Sequence, residues 1–124
     1  MSAWIAVDFD GTLAEYHGWD GDNLGKPIRP MVDRVLRWLA EGKAVKIFTA
    51  RVGCSGKRSD VSLDNEEFAE HQRNLITAWC IQHIGVALEV TATKDFAMVE
   101  LWDDRAIQVV MNTGEIVGHS TRGN

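Results

Sequence analysis

The length, composition and charge of this chain exclude several classes of protein. Its 124 residues, 45% of them hydrophobic and 25% charged, suit one compact domain with its own core and leave no room for a second. With 13 basic against 18 acidic residues the net charge is −5, which opposes an extended surface for holding duplex nucleic acid non-specifically.

Short apolar runs alternate along the chain with segments of helical periodicity. Strands are predicted at four mostly apolar runs, a pattern typical of strands covered on both faces: residues 4–7, 44–48, 87–90 and 97–102. A first helix is predicted from Pro30, a favoured first-turn residue, to Gly42. A second is predicted from near Asp64, a suitable cap, to Gly85.

The order of these elements indicates the fold class. Strand–helix–strand units form right-handed crossovers, and their strands lie parallel in one sheet. After the fourth strand, residues 107–110 and 115–117 flank the turn residues 112–114 and predict an edge strand or hairpin. We therefore predict a three-layer, Rossmann-like α/β domain over residues 1–118, with a mainly parallel sheet of about five strands. Residues 119–124 are predicted to be a flexible tail.

Polar residues follow each of the four predicted strands, at the sheet edge where ligands bind in such folds. The segments are Asp8 to Thr12, Thr49 to Arg51, Thr93 to Asp95 and Asp103 to Arg105. The four acids, Asp8, Asp10, Asp103 and Asp104, would repel one another unless a cation lies among them, and hard oxygen ligands favour Mg²⁺. Thr49, Arg51 and Lys94 add donors for a tetrahedral anion. This set suits phosphoryl transfer, with one carboxylate as nucleophile and another as proton carrier.

The same residues resemble the four motifs of the haloacid dehalogenase (HAD) superfamily. The first motif is matched by Asp8-Phe9-Asp10-Gly11-Thr12, and the others, in the same order, by Thr49, Lys94 and Asp103-Asp104. The resemblance covers residues 4–110 and implies a HAD-type phosphatase, a Mg²⁺-dependent phosphomonoester hydrolase.

The resemblance also implies the roles of individual residues. Asp8 would attack phosphorus to form a covalent aspartyl-phosphate, and Asp10 would protonate the leaving oxygen and then activate water. Thr49 and Lys94 would hold the phosphoryl oxygens. Further substrate contacts would come from Gly11, Thr12, Ala50, Arg51 and Arg105.

For the metal, the resemblance implies the Asp8 carboxylate, the Asp10 backbone carbonyl and one acid of the terminal pair. Asp104 is favoured because Asp104-Arg105 aligns with a Gly-Asp-Arg variant of the fourth motif. Asp103 would then orient Lys94 or a metal-bound water. Which of Asp103 and Asp104 ligates the metal directly stays open.

No cap domain is predicted, although HAD enzymes usually carry one. The intervals between motifs hold only a flap at residues 16–27, a loop at 52–63 and one helix each. Such an open site goes with macromolecular ends, protein phosphates or cover from a partner subunit. The phosphorylated substrate stays open among a small metabolite, a nucleotide, a protein and a nucleic-acid end, with the last two favoured by the missing cap. If the protein forms a homo-oligomer, the partner subunit would supply cover.

Two alternative functions stay open. The segments Thr49-Ala50-Arg51 and Asp103-Asp104-Arg105 also resemble the 3′-phosphatase domain of phage polynucleotide kinases. The other alternative is a catalytically silent HAD-like or receiver-like binding module, although receivers carry their acidic pair on the first strand. A phosphotransferase is disfavoured because an open site admits water.

For several side chains, two roles are compatible with the sequence. Arg51 and Arg105 either contact substrate or pair with a neighbouring carboxylate, and Lys57 and Arg58 either contact substrate or are solvated. Trp19 either covers the substrate or anchors the flap by packing.

Cellular location is predicted from what the sequence lacks. Two cysteines, Cys54 and Cys80, are too few for a disulfide scaffold, so both are expected to be reduced. The chain shows no signal sequence and no apolar run near the roughly 20 residues that span a bilayer. The prediction is a cytoplasmic protein without a membrane partner.

Overall fold

The computed structural model describes residues 3–53 and 65–118. These residues form an α/β unit with two helices and a four-strand sheet, in which all neighbouring strands are parallel. The elements in chain order are β1 (Trp4–Val7), α1 (Arg29–Ala40), β2 (Ala44–Phe48), a 3₁₀ turn (Ala50–Val52), α2 (Asn65–His83), β3 (Glu89–Thr91) and β4 (Met98–Trp102). The strand order is β3-β2-β1-β4. The predicted α/β class and parallel sheet are confirmed.

The element boundaries follow the signals in the sequence to within about two residues. Helix α1 has Pro30 in its first turn and ends before Gly42, whose φ of 81° is left-handed and stops the helix. Helix α2 likewise ends before Gly85, at φ 100°. The predicted cap, Asp64, lies outside the described residues. Neither helix in the described part of the chain is long and apolar enough to cross a membrane.

Both helices pack on one face of the sheet. Side chains that alternate along the central strands, Ile5, Val7 and Ile47 among them, share a core with Val35 of α1 and Ile76 of α2. The opposite face carries a small separate cluster built on Trp4, Ala6 and Ala97. Among the described residues no helix covers that face, because the connection between β3 and β4 is short and non-helical. The described part therefore has two layers rather than the predicted three.

The segment predicted as an edge strand or hairpin forms a hairpin of its own. Val109 and Ile116 make an isolated antiparallel bridge, flanked by backbone hydrogen bonds from Val110 N to Glu115 O (2.7 Å) and from Val117 N to Gln108 O (2.8 Å). The hairpin is exposed and joins neither edge of the sheet, so the described residues give four strands rather than about five.

The flap at residues 16–27 lies against α2. The Trp79 indole nitrogen donates to the Gly25 carbonyl (2.9 Å), and His71 lies 3.0 Å from the Asp22 carboxylate. The predicted 52–63 loop, which contains Cys54, Lys57 and Arg58, lies almost wholly outside the described residues. The predicted tail, residues 119–124, lies wholly outside them. Cys80 is a buried free thiol.

Candidate functional site

Three acids meet where β1 and β4 end side by side. The two strands pair in parallel with Val7 opposite Trp102, and Asp8 N donates to Trp102 O at 2.9 Å. The residues that follow each strand are thereby brought to one place. One carboxylate oxygen each from Asp8, Asp103 and Asp104 lies within 4.8 Å of the other two.

A tight turn after β1 completes this acidic cluster of Asp8, Asp103 and Asp104. Gly11 has φ 85°, a backbone angle that favours glycine, and a Cβ there would lie 2.8 Å from Asp104 Oδ2 and would displace that carboxylate. The Thr12 hydroxyl lies 3.4 Å from Asp8 Oδ2 and 3.2 Å from Asp104 Oδ1. Gly11 and Thr12 thus shape the cluster, and their contact with substrate stays a prediction.

The electrostatics of Asp8 reflect its neighbours. Burial, the hydrogen bond with Asp104 and the charges of Asp103 and Asp104 raise the pKa of Asp8 from 3.8 to about 7, although the Phe9 backbone amide opposes the shift. The ion pairs of the described residues involve none of these three acids. Three unpaired carboxylates this close fit a hard divalent cation, whose charge would favour their ionised forms.

Asp10 lies apart from this cluster and is held by Arg51. Arg51 Nε donates to Asp10 Oδ2 at 2.7 Å and Nη2 donates to Oδ1 at 2.9 Å, a bidentate pair with the arginine side chain only 5% exposed. The remaining nitrogen, Nη1, donates to Gln72 Oε1 at 2.7 Å. The Trp19 ring centroid lies 4.6 Å from Arg51 Cζ. Of the two roles predicted for Arg51, the structure shows the pairing with a carboxylate. Contact of Arg51 with substrate stays a prediction.

Thr49 and Ala50 follow β2, the strand beside β1. Thr49 is buried, and its hydroxyl accepts a hydrogen bond from Arg51 N (3.2 Å), which caps the 3₁₀ turn. Its own backbone N donates to Thr91 O on β3 at 2.9 Å. Ala50 is exposed. The threonine therefore sits rigidly at the sheet edge one strand away from Asp8.

Of the two exposed basic residues predicted for the site, Arg105 adjoins the acidic cluster, whereas Lys94 precedes Asp95, which contacts Trp4 at the end of β1 opposite Asp8. Lys94 lies in the loop before β4, next to Asp95, which accepts hydrogen bonds from the Trp4 indole (2.9 Å) and from Ala97 N (2.9 Å). Lys94 takes part in none of the ion pairs of residues 3–53 and 65–118. Arg105 donates its backbone N to Asp103 Oδ1 at 2.7 Å, while its side chain is exposed.

Two features were not resolved by sequence reasoning. The Trp19 ring packs against Arg51 and lies 6.1 Å from the Phe68 ring, as expected if it anchors the flap. That Trp19 also covers a bound substrate stays a prediction. Gln72 was missed entirely, although it is fully buried and contacts Arg51. The signal was its place in the apolar stripe of α2, which runs through Ala69, Gln72, Ile76 and Trp79.

Comparison of this chain with protein-family models, with curated proteins and with solved structures finds no match. Any functional conclusion therefore depends on the residues of the site itself.

Proposed function

We propose that this protein is a Mg²⁺-dependent phosphomonoester hydrolase with Asp8 as its nucleophile, similar to the capless HAD phosphatases. The observation that carries the proposal is the different surroundings of the two acids on the β1 loop. Asp8 faces Asp103 and Asp104, whereas Asp10 is held by Arg51. Two carboxylates in contrasting environments suit two different roles in one reaction.

The donor set supports Mg²⁺ as the cofactor. Asp8 and Asp104 are the carboxylate ligands we favour, together with the Asp10 backbone carbonyl that the motif implies. Asp103 is the weaker candidate because its Oδ1 already accepts the Arg105 amide. Bound Mg²⁺ would neutralise charge on the oxygens of the transferring phosphoryl group.

The residues of the chain supply the remaining chemistry. The Asp8 carboxylate attacks phosphorus, the bond to the leaving oxygen breaks, and Asp10, in its protonated form, donates its proton to that oxygen and becomes the carboxylate. Asp10 then takes a proton from the water that hydrolyses the aspartyl-phosphate. The Thr49 hydroxyl, whose oxygen accepts a hydrogen bond from the Arg51 backbone amide, can donate its hydrogen to a phosphoryl oxygen. By the motif resemblance, the Lys94 ammonium would bind another.

The open surroundings favour a phosphate that projects from a larger body. Asp104 and Arg105 are exposed, and the described residues include no cap domain. A phosphorylated protein or a nucleic-acid 3′ end would fit such a site. A small metabolite or a nucleotide would need cover from a partner subunit.

The test is Mg²⁺-dependent release of phosphate from an aryl phosphate, phosphopeptides and 3′-phosphorylated oligonucleotides. Wild type should release phosphate, Asp8→Asn should not, and Asp33→Asn, which removes an exposed acid on α1, should behave as wild type. Borohydride reduction during turnover should convert the aspartyl-phosphate to homoserine at position 8. Mg²⁺ binding without turnover of any substrate would refute the proposal and favour a binding module.

A further inference from the structure

A buried glutamine lies behind the Asp10–Arg51 pair. Gln72 is 0% exposed, in the apolar stripe of α2. Its Oε1 lies 2.7 Å from Arg51 Nη1. Because a guanidinium has donors and no acceptor, the atom that faces it must be the amide oxygen, so the orientation of the amide is determined.

A contribution to the stability of the fold does not explain why a glutamine occupies position 72. Its Nε2 is buried and has no hydrogen-bond partner among residues 3–53 and 65–118. An unsatisfied buried amide nitrogen destabilises the folded state, whereas a methionine of similar volume would fill the same space without a polar atom. What the glutamine adds is an acceptor for one nitrogen of Arg51.

That acceptor helps to define the position of the whole guanidinium. The group is planar and rigid, so fixing one edge and one face also fixes the opposite edge. Gln72 holds the Nη1 edge, the Trp19 ring covers a face at 4.6 Å, and the opposite edge, Nε and Nη2, binds both oxygens of Asp10. A side chain of α2 is thereby connected to a carboxylate on the β1 loop.

We propose that Gln72 is a positioning residue that, through Arg51, holds the Asp10 carboxyl group where it exchanges a proton with the leaving oxygen. The inference rests on the proposed function. When the bond from phosphorus to the leaving oxygen breaks, that oxygen takes the bonding electron pair and the proton of Asp10. An alkyl alcohol needs this proton to depart, whereas dinitrophenolate is stable as an anion and does not.

This difference separates positioning from general structural damage. A displaced Asp10 should slow alkyl phosphates and leave dinitrophenyl phosphate almost unaffected. A disturbed fold or a disturbed Asp8 should slow both substrates alike. The measurement is kcat/KM for each, since kcat/KM reports only steps up to the first irreversible one, here the departure of the leaving group.

The variants are Gln72→Met, which removes the acceptor, and Gln72→Glu, which restores an acceptor oxygen. Cys80→Ala is the matched control, because Cys80 is also fully buried on α2, lies in the apolar core and has no role in the proposed site. We expect Gln72→Met to lower kcat/KM about ten- to hundredfold for an alkyl phosphate and less than about threefold for dinitrophenyl phosphate. Gln72→Glu should recover most of the alkyl phosphate rate, and Cys80→Ala should change both substrates equally.

The outcomes distinguish the inference from the proposed function. If wild type turns over through Asp8 but Gln72→Met lowers both substrates equally, or neither, the inference is overturned and the function stands. If wild type shows no Asp8-dependent turnover of either substrate, the proposed function fails and the inference with it. Thermal melting checks that each variant is folded. Gln72→Asn, which withdraws the oxygen by one methylene, replaces Gln72→Met if that variant does not fold, and the same leaving-group comparison decides.

Discussion

Asp8→Asn should stabilise the protein in the absence of metal, although it removes the proposed nucleophile. Burial and the acids that follow β4 raise the pKa of Asp8 from 3.8 to about 7. Ionised Asp8 is therefore unfavourable in the folded state. Asparagine carries no charge and avoids this penalty.

The size of the gain follows from the shift. Each pKa unit corresponds to about 1.4 kcal/mol, so the full shift would be about 4 kcal/mol in the free energy of unfolding. Asp8 is only partly buried, and solvent screening reduces the expected gain to about 2 kcal/mol.

The stabilisation that Asp8→Asn brings should depend on pH. Below about pH 4 Asp8 is protonated in both the folded and the unfolded state, and the substitution brings no gain. Between about pH 4 and about pH 7 the unfolded chain ionises first, so wild type loses stability as the pH rises. Above about pH 7 the gain of the variant is complete.

The assay is urea denaturation with a chelator at about pH 8 and about pH 3. Asp8→Asn should unfold at higher urea than wild type at the higher pH and at the same urea at the lower pH. Adding Mg²⁺ at about pH 8 should stabilise wild type more than the variant, since only wild type keeps the full ligand set. A variant that is no more stable than wild type at about pH 8, or equally stabilised at both pH values, would refute the reasoning. Asp33→Asn, at an exposed acid paired with Arg29, should shift stability by less than about 0.5 kcal/mol at either pH.

Three further predictions concern the surroundings of the site. Gly25→Ala should lower the free energy of unfolding by about 3 kcal/mol in urea denaturation, because its Cβ would overlap the Glu15 backbone oxygen; an unchanged midpoint would show that the flap can yield. Arg51→Met should cost about 3 kcal/mol in the same assay and at least about tenfold in turnover, because Asp10 loses its bidentate partner; wild-type turnover would contradict the role of the pair. The Cys80 thiol should resist alkylation at about pH 8 until the protein unfolds, because burial raises its pKa to about 11; mass-spectrometric labelling as fast as that of a free thiol would disprove this.

The parallel sheet was predictable because its signals are local. The apolar run of β1 is buried at all four positions, and Pro30 and Gly42 delimit α1 where their backbone preferences require. The convergence of Asp8 with Asp103 and Asp104 also followed from the sequence, because residues after parallel strands meet at one sheet edge whatever the details of packing.

The third layer and the fifth strand are not confirmed among the described residues, because neither follows from a local signal. Apolar alternation and turn residues at 107–117 do produce a hairpin around the Val109–Ile116 bridge. Whether a hairpin joins a sheet depends on a free edge at the right distance and on side chains to pack against. Neither is encoded in the local pattern.

The sequence by itself determined which reactive residues follow each strand: the acids after β1 and β4, the threonine after β2 and the lysine after β3. The tertiary structure alone decided which of these side chains touch. Arg51 and Asp10 are 41 residues apart, and Gln72 is a further 21 residues from Arg51. Their contact depends on how α2 docks on the sheet, which is the sum of many packing interactions and not a property of any one segment.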